Sequence, residues 1–388
     1  MSDTILVING GSSSIKFSVY STENPPRLVL AGKLERIGSG QAVFHSGASS
    51  SEKVDAPDHK AGAQFIMDWL GKRPDLGRIA AVGHRVVHGG PKYSEPQPVI
   101  PEVIEELGRI GAFDPEHSPG QLQLISVFCQ KFPKIPQIAC FDTAFHQTMP
   151  TVARILPLPR KYFEKGIRRY GFHGLSYTFL VEELERVAGA EAARGRVILA
   201  HLGNGASLAA VLDGKGVDTS MGFTPTAGIP MSSRTGDMDP GVFSYLAISE
   251  GVTPEKFGHM VNAESGLLGI SETSSDMRDL WAREAEDVRA REAVEVFCYQ
   301  TRKWIGSFAA VLGGVYTLVF AGGIGENDSV ARERICAGLG FLGISIDPAR
   351  NAANAGVISP DGAKATVRVI KTNEELVIAK AVLRFLGQ

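Results

Sequence analysis

Two short segments place glycine, asparagine and hydroxyl side chains directly after an apolar run. Asn9-Gly10-Gly11-Ser12-Ser13-Ser14, with Lys16 two residues on, follows Ile5-Leu6-Val7-Ile8. Leu202-Gly203-Asn204-Gly205-Ala206-Ser207 follows Arg196–His201. Turns of this composition present backbone N–H groups and hydroxyls to phosphate oxygens. The first lacks the G-x-x-x-x-G-K-[ST] spacing of a P-loop, and alone an ordinary hairpin turn accounts for it equally well. Two such turns at matching places suit a polyphosphate better than either does singly. A third segment, Gly322-Gly323-Ile324-Gly325-Glu326-Asn327, reads as a loop bare enough for a nucleoside to lie against its backbone; a strand-to-helix turn is the plainer alternative.

The charged candidates are few. Arg85 lies in Gly83-His84-Arg85-Val86-Val87-His88-Gly89-Gly90, and Arg234 in Ser232-Ser233-Arg234-Thr235-Gly236-Asp237. Both sit among small residues rather than on a helical charge face, and a guanidinium holds carboxylate or phosphate through two parallel hydrogen bonds. Together they suit a clamp on a transferring phosphoryl group. His173, between Phe172 and Gly174, falls outside any amphipathic pattern, as do His117 and His201; a satisfied structural histidine explains His173 equally well. Asp142 ends the run Ile138–Phe141. Glu374 and Glu375 follow Thr372 and Asn373, one of which caps the last helix, so the helix dipole alone accounts for both glutamates. If Asp142 and one of these glutamates face the site, they suffice for magnesium, which takes few protein carboxylates in phosphotransfer sites.

The elements that must position these groups alternate strand and helix. Ile5–Ile8, Ile15–Tyr20 and Leu28–Leu34 read as a strand meander, and Arg196–His201, Leu208–Leu212 and Gly216–Met221 repeat the layout. Ile79–Val82, Ile138–Phe141 and Leu318–Ala321 read as short strands ending in polar loops, where α/β folds hold ligands. Helices are expected over Ala61–Leu70, Pro101–Gly108, Gly120–Cys129, Leu175–Ala188, Asp287–Leu312 and Leu376–Leu386.

A chain of 388 residues, 44% apolar, suits two domains. A formal net charge of -2 gives no footprint for nucleic acid. The four cysteines, Cys129, Cys140, Cys298 and Cys336, lack metal or redox spacing and read as reduced thiols. No apolar run approaches the ~18 residues of a membrane span, and the N-terminal run lacks a basic flank. A cytoplasmic protein without membrane or nucleic-acid partners is expected.

In order, VINGGSSSIKFSVY from Val7, GHRVVHGG from Gly83, FDTAFHQTMP from Phe141, RYGFHGLS from Arg169, HLGNGASLAAV from His201, DTSMGFTP from Asp218, SRTGDMDP from Ser233, SGLLGIS from Ser265, SSDMRDL from Ser274, GGIGEN from Gly322 and TNEELVIA from Thr372 resemble the acetate kinase family, within the acetate and sugar kinase/heat-shock cognate/actin superfamily. The resemblance implies an α/β fold of two domains with duplicated actin-like ATPase (ribonuclease H-like) topology and a nucleotide cleft between them. It implies domains of residues 1–145 plus 377–388 and 146–376, usually paired as a homodimer through the second. ATP is the implied co-substrate, with Mg2+, or Mn2+ in its place, and acetate or a related short carboxylate the acceptor.

Residue by residue, Asn9, Ser12, Ser14 and Lys16 resemble the first phosphate loop. His201, Gly203, Asn204 and Gly205 match the second. Asp276, Met277 and Arg278, with Gly322, Gly323, Ile324, Gly325 and Asn327, match the adenosine pocket. Arg85, Asp142, His173 and Arg234 resemble the catalytic set, Asn9, Asp142 and Glu374 the magnesium environment, and Val87, Phe172 and Pro225, with His117 and Arg85, the acid site. The chain departs from the family at Glu116 and Ser118 around His117, at Leu175 and Tyr177 after His173, and at Ser233 before Arg234. The first of these bears on the choice of acid more than on the reaction. Propionate or butyrate as the acid is the nearest alternative. An actin- or chaperone-like nucleotide module would use the glycine turns without the Arg85, Arg234 and His173 set. A non-catalytic sensor, suggested by Glu116 and Tyr177, would bind nucleotide without transferring phosphate.

Overall fold

The structure, a computed structural model, describes residues 3–11, 13–47, 50–113 and 118–387. The chain divides into two compact units, Met1–Ala144 with Asn373–Gln388, and Phe145–Thr372.

In the first unit, β1 (Thr4–Gly10), β2 (Ser14–Ser21), β3 (Leu28–Glu35), β4 (Ala42–Ser46) and β5 (Ser50–Val54) form an antiparallel meander. β6 (Ile79–Val86) pairs parallel with β1, the two-residue β7 (Gln97–Pro98) edges the sheet, and β8 (Gln137–Phe141) pairs parallel with β6. The order is β5-β4-β3-β2-β1-β6-β8-β7. Every residue of β1 is buried, because helices cover both faces, and such a strand reads as a continuous apolar run. Leu6, Ile8 and Val82 pack with Ile66 and Leu124 of the helices His59–Gly71 and Ser118–Lys131. Side chains alternate along a strand, so Gly83 faces the opposite side. There a Cβ would lie 2.4 Å from Ile378 Cγ2 of the helix Glu374–Phe385.

That close approach corrects the expected loop at Gly83-His84-Arg85. Gly83 lets the last helix sit on β6, and β6 runs on to Val86, with Arg85 opposite Cys140 of β8. The expected domain boundary between 376 and 377 would cut the same helix, which starts at Glu374. Its cap is Asn373, whose Oδ1 accepts from Leu376 N at 3.0 Å, and Asn373–Gln388 belongs with the first unit.

In the second unit, β9 (Val197–Leu202), β10 (Ala206–Leu212) and β11 (Lys215–Thr219) are antiparallel, and β12 (Thr317–Ala321) and β13 (Thr366–Val369) add in parallel. The order β11-β10-β9-β12-β13 carries the same strand directions as β3-β2-β1-β6-β8. The helix Gly174–Ala188 packs Tyr177, Leu180 and Leu184 on Val197, Leu199 and Val211. Gly322–Asn327 is a helical turn rather than the expected loop. Gly322, at φ +77°, enters it where a Cβ would meet Leu202 O at 2.7 Å. Among the described residues, no helix is long and apolar enough to cross a membrane.

Candidate active site

Each unit gathers part of the expected set. In the first, Arg85 leaves β6 toward Asp142, which follows β8 and is 1% exposed. Arg85 Nη2 donates to Asp142 Oδ2 at 2.6 Å and Nε to both carboxylate oxygens at 3.1 Å. Nη1 donates to Asn9 Oδ1 at 3.0 Å. Asn9 Nδ2 in turn donates to Glu375 Oε1 at 3.0 Å and Glu374 Oε2 at 3.3 Å. Asn9 thus bridges the cation and the glutamates at the start of the last helix, and this pattern fixes its amide orientation. Burial works against the Arg85 charge, but Asp142, Glu374 and Glu375 outweigh it and hold the guanidinium above the usual arginine range. Glu375 also raises Tyr20, second to burial, to about 12.

These oxygens are the candidates for the expected magnesium. Among the described residues no group of three or more His, Cys, Asp or Glu side chains is arranged to enclose a metal. Asp142, Glu374 and Glu375 nevertheless set three carboxylates around one guanidinium, a surplus of negative charge with oxygen donors only. Such a set fits a hard cation that keeps most of its waters.

The first glycine turn joins β1 to β2, with Gly11 N donating to Ser14 O at 2.8 Å. Lys16 is exposed and pairs in register with Asn9. Ser12 and His117, with Glu116, lie outside the described residues.

In the second unit, Gly203–Gly205 joins β9 to β10. A Cβ on Gly205 would stand 3.2 Å from His173 Nε2 and 3.7 Å from Arg234 Nη1; one on Gly203 would stand 3.8 Å from His201 Nε2 and from Gly323 N. The bare turn therefore lies among both histidines, Arg234 and the start of the Gly322–Asn327 helix. The His173 and His201 rings stack with centroids 4.3 Å apart. His173, at φ +58°, stands in the left-handed region just before the helix Gly174–Ala188. Asn204 O accepts from Ser232 N at 3.2 Å. Gly266, at φ +62°, presses so close that a Cβ would meet Met231 O at 2.1 Å and Arg234 O at 2.7 Å.

The expected adenosine residues have clear local roles. Asp276 Oδ1 accepts from Arg278 N at 2.9 Å, capping the helix Met277–Arg283. The Arg278 guanidinium bonds that carboxylate and holds it below its usual range. Met277 is buried. Trp281 Nε1 ties this helix to Asp328 Oδ2, just beyond Asn327, at 2.6 Å. Asn327 Nδ2 donates to Gly323 O, and Gly323 and Asn327 are exposed while Gly325 is buried and Ile324 half-buried. Of the apolar acid-site candidates, Val87 is buried in the first unit, and Phe172 and Pro225 are buried in the second. Phe172 O bonds His146 Nε2 at 2.9 Å, and Pro225 O accepts from Arg234 Nη1 at 3.4 Å.

Four participants were not among the expected site residues, although Glu375 was read as an alternative to Glu374 and Glu326 and Ser207 as members of the glycine segments. Glu375 bonds Asn9 alongside Glu374. Glu326 Oε1 accepts from both Gly322 N, at 3.0 Å, and Thr372 N, at 3.1 Å. Ser176 Oγ bonds His201 Nδ1 and Thr372 Oγ1, each at 2.8 Å. Ser207 Oγ bonds His173 Nδ1 at 2.8 Å.

Comparison with known proteins matches the profile described as "Acetokinase family" to residues 4–380. A propionate kinase of Citrobacter rodentium is 44% identical over 99% of this chain and 97% of its own length. An acetate kinase of Rhodopseudomonas palustris is 43% identical over 99% and 98%. Among solved structures, a propionate kinase from Francisella tularensis superposes with a TM-score of 0.92 at 36% identity, over 98% of this chain and 99% of that one. The acetate kinase of Porphyromonas gingivalis gives 0.88 at 36%, over 99% and 100%.

Proposed function

The chain belongs to the acetokinase family, phosphotransferases with a carboxylate acceptor, and from that premise we propose that it transfers the γ-phosphoryl group of ATP reversibly to acetate, giving acetyl phosphate and ADP. The observation that carries the reading is the bare backbone of Gly205 beside His173 Nε2 and Arg234 Nη1. With no Cβ there, a phosphoryl oxygen could approach this backbone and meet the His173 and Arg234 nitrogens.

In this reaction the acid's carboxylate attacks the γ-phosphorus in line, and the protein's task is positioning and charge neutralisation. Arg85 from the first unit and Arg234 from the second offset charge on the acid and the phosphoryl oxygens, and His173 donates from Nε2. The turns at Asn9–Lys16 and His201–Gly205 hold phosphates through backbone N–H groups, and Asp276–Arg278 with Gly322–Asn327 receive the adenosine. Asn9, Asp142 and Glu374, joined by Glu375, would hold hydrated Mg2+, which neutralises β- and γ-phosphate charge when bound. Val87, Phe172 and Pro225 supply the apolar surface for the acyl group.

Propionate is the second reading, because the propionate and acetate kinases named above are almost equally similar to the chain. The matching strand directions support a duplicated topology. The helix Gly241–Glu250 buries none of its residues and exposes Tyr245 and Ile248, which supports a homodimer formed through the second unit. Four unpaired thiols support a reducing, cytoplasmic location.

Purified protein with Mg-ATP and acetate, propionate or butyrate, read by hydroxylamine trapping, tests the choice of acid. The highest kcat/KM is expected for acetate. A higher value for propionate moves the substrate and keeps the reaction.

A further inference from the structure

We infer that Tyr177 and Ser207 are positioning residues that fix His173 as the tautomer carrying its proton on Nε2. The inference rests on the reading of His173 as a phosphoryl donor.

The hydrogen-bond chain has a forced direction. Tyr177 stands one helical turn after His173 and is fully buried. Its hydroxyl lies 2.5 Å from Ser207 Oγ, and Ser207 Oγ lies 2.8 Å from His173 Nδ1. Among the described residues, Ser207 is the one hydrogen-bond partner of the Tyr177 hydroxyl. That hydroxyl carries a proton, since burial raises its pKa well above the ordinary phenol range.

If Tyr177 accepted from Ser207, its own proton would be left buried and unbonded, an outcome folded proteins avoid. Tyr177 therefore donates to Ser207. The single Ser207 proton then points at His173, so Nδ1 accepts and the proton of the neutral ring sits on Nε2. Nε2 is the atom beside Gly205, 3.2 Å from where a Cβ would be.

The surroundings hold the ring in place. His173 is pinned at φ +58° behind Gly171, at φ +74°. His146 Nε2 donates to Phe172 O at 2.9 Å, and the His146 ring meets the Tyr177 ring edge-on. His173 also stacks on His201, whose Nδ1 is held by Ser176. The three groups come from two elements, the helix Gly174–Ala188 with its N-cap and β10. Their alignment places Ser207 between the two rings, opposite His201 in the strand register.

The consequence for catalysis is preorganisation. A histidine free to exchange tautomers spends part of its time with a bare acceptor facing the phosphate, which repels it. A directed chain removes that population before substrate arrives.

Long-range proton–nitrogen correlation on the full-length protein, 15N-labelled at histidine and at neutral pH, tests this, with His173 assigned by its loss in His173→Gln. The expected wild-type spectrum shows His173 protonated on Nε2 and unprotonated on Nδ1. Tyr177→Phe removes one oxygen and keeps both ring contacts. It leaves the Ser207 hydroxyl free to turn and accept from a protonated Nδ1, so a mixture of tautomers is expected, with kcat about tenfold lower and both KM values within about threefold. Ser207→Ala is expected to lower kcat similarly, and Tyr177→Phe/Ser207→Ala no further, since the two residues act as one unit. Protonation of His173 on Nδ1 in the wild type overturns the inference. So does a Tyr177→Phe protein with unchanged tautomer and kcat. Full activity in His173→Gln overturns the reading of His173 as a donor, while the wild-type spectrum decides the hydrogen-bond chain on its own.

Discussion

Asp142 receives three hydrogen bonds from Arg85, the shortest 2.6 Å. The pair is largely buried, with side chains 17% and 1% exposed. Removing one partner of a buried pair strands the other, at a cost of about 3–5 kcal/mol. Arg85→Ala is therefore expected to lose stability by about that amount, and Arg85→Ala/Asp142→Asn to recover much of it in urea unfolding. Activity is not expected to return in the double variant, because the guanidinium is still missing. Recovery of both together would make Arg85 purely structural.

Gly205→Ala is expected to cut kcat/KM for ATP at least tenfold. The added methyl would fill the space 3.2 Å from His173 Nε2 and 3.7 Å from Arg234 Nη1. The backbone there needs no left-handed conformation, so the melting temperature should fall by no more than about 3 °C. Unchanged kinetics would remove this space from the phosphate path.

Glu326 accepts from Gly322 N and Thr372 N with a single oxygen, and so anchors the expected nucleoside turn. Glu326→Ala frees both amides and is expected to raise KM for ATP about three- to tenfold with a smaller change in KM for the acid. Glu326→Gln keeps an acceptor and should retain most of the affinity. Equal KM changes for both substrates would show a diffuse structural effect instead.

Burial lowers His84 and His146 to about 4, against hydrogen bonds to Gln137 Oε1 and Phe172 O respectively. Both rings are neutral when folded and gain protons near pH 6.5 when unfolded. The unfolded state therefore binds more protons between about pH 6.5 and 4, and stability falls as pH drops through that window. Each histidine adds a slope of about 1.4 kcal/mol per pH unit. Urea unfolding at pH 7 and pH 5 measures it, and His84→Gln should flatten it by one such step. A slope unchanged in His84→Gln would contradict the buried-neutral assignment.

The glycine turns were legible because their signal is local: composition marks a turn, and flanking glycines mark a close approach. Arg85 itself was placed in a loop, since nothing nearby shows that Gly83 admits Ile378 from almost three hundred residues away. Glu374 and Glu375 read equally well as helix-dipole residues; that both meet Asn9 follows from how the last helix sits on β1. Ser207 read as a turn hydroxyl, though it lies in β10, and Tyr177 as a departure from the family after His173. Their link to His173 appears only once β10 is in register with β9 and the helix is laid across them. The expected adenosine residues Asp276 and Arg278 show the converse, since a helix cap and its ion pair account for their local contacts.

The most direct test is hydroxamate formation from Mg-ATP and acetate by the wild type, Arg85→Ala and Arg234→Ala, each first shown to bind ATP. Robust acid-dependent product in the wild type is expected, with at least a thirtyfold lower rate in each variant, the loss of about 2 kcal/mol of transition-state stabilisation. Turnover within threefold of the wild type in both variants would contradict the assignment of the two arginines to one phosphoryl transfer.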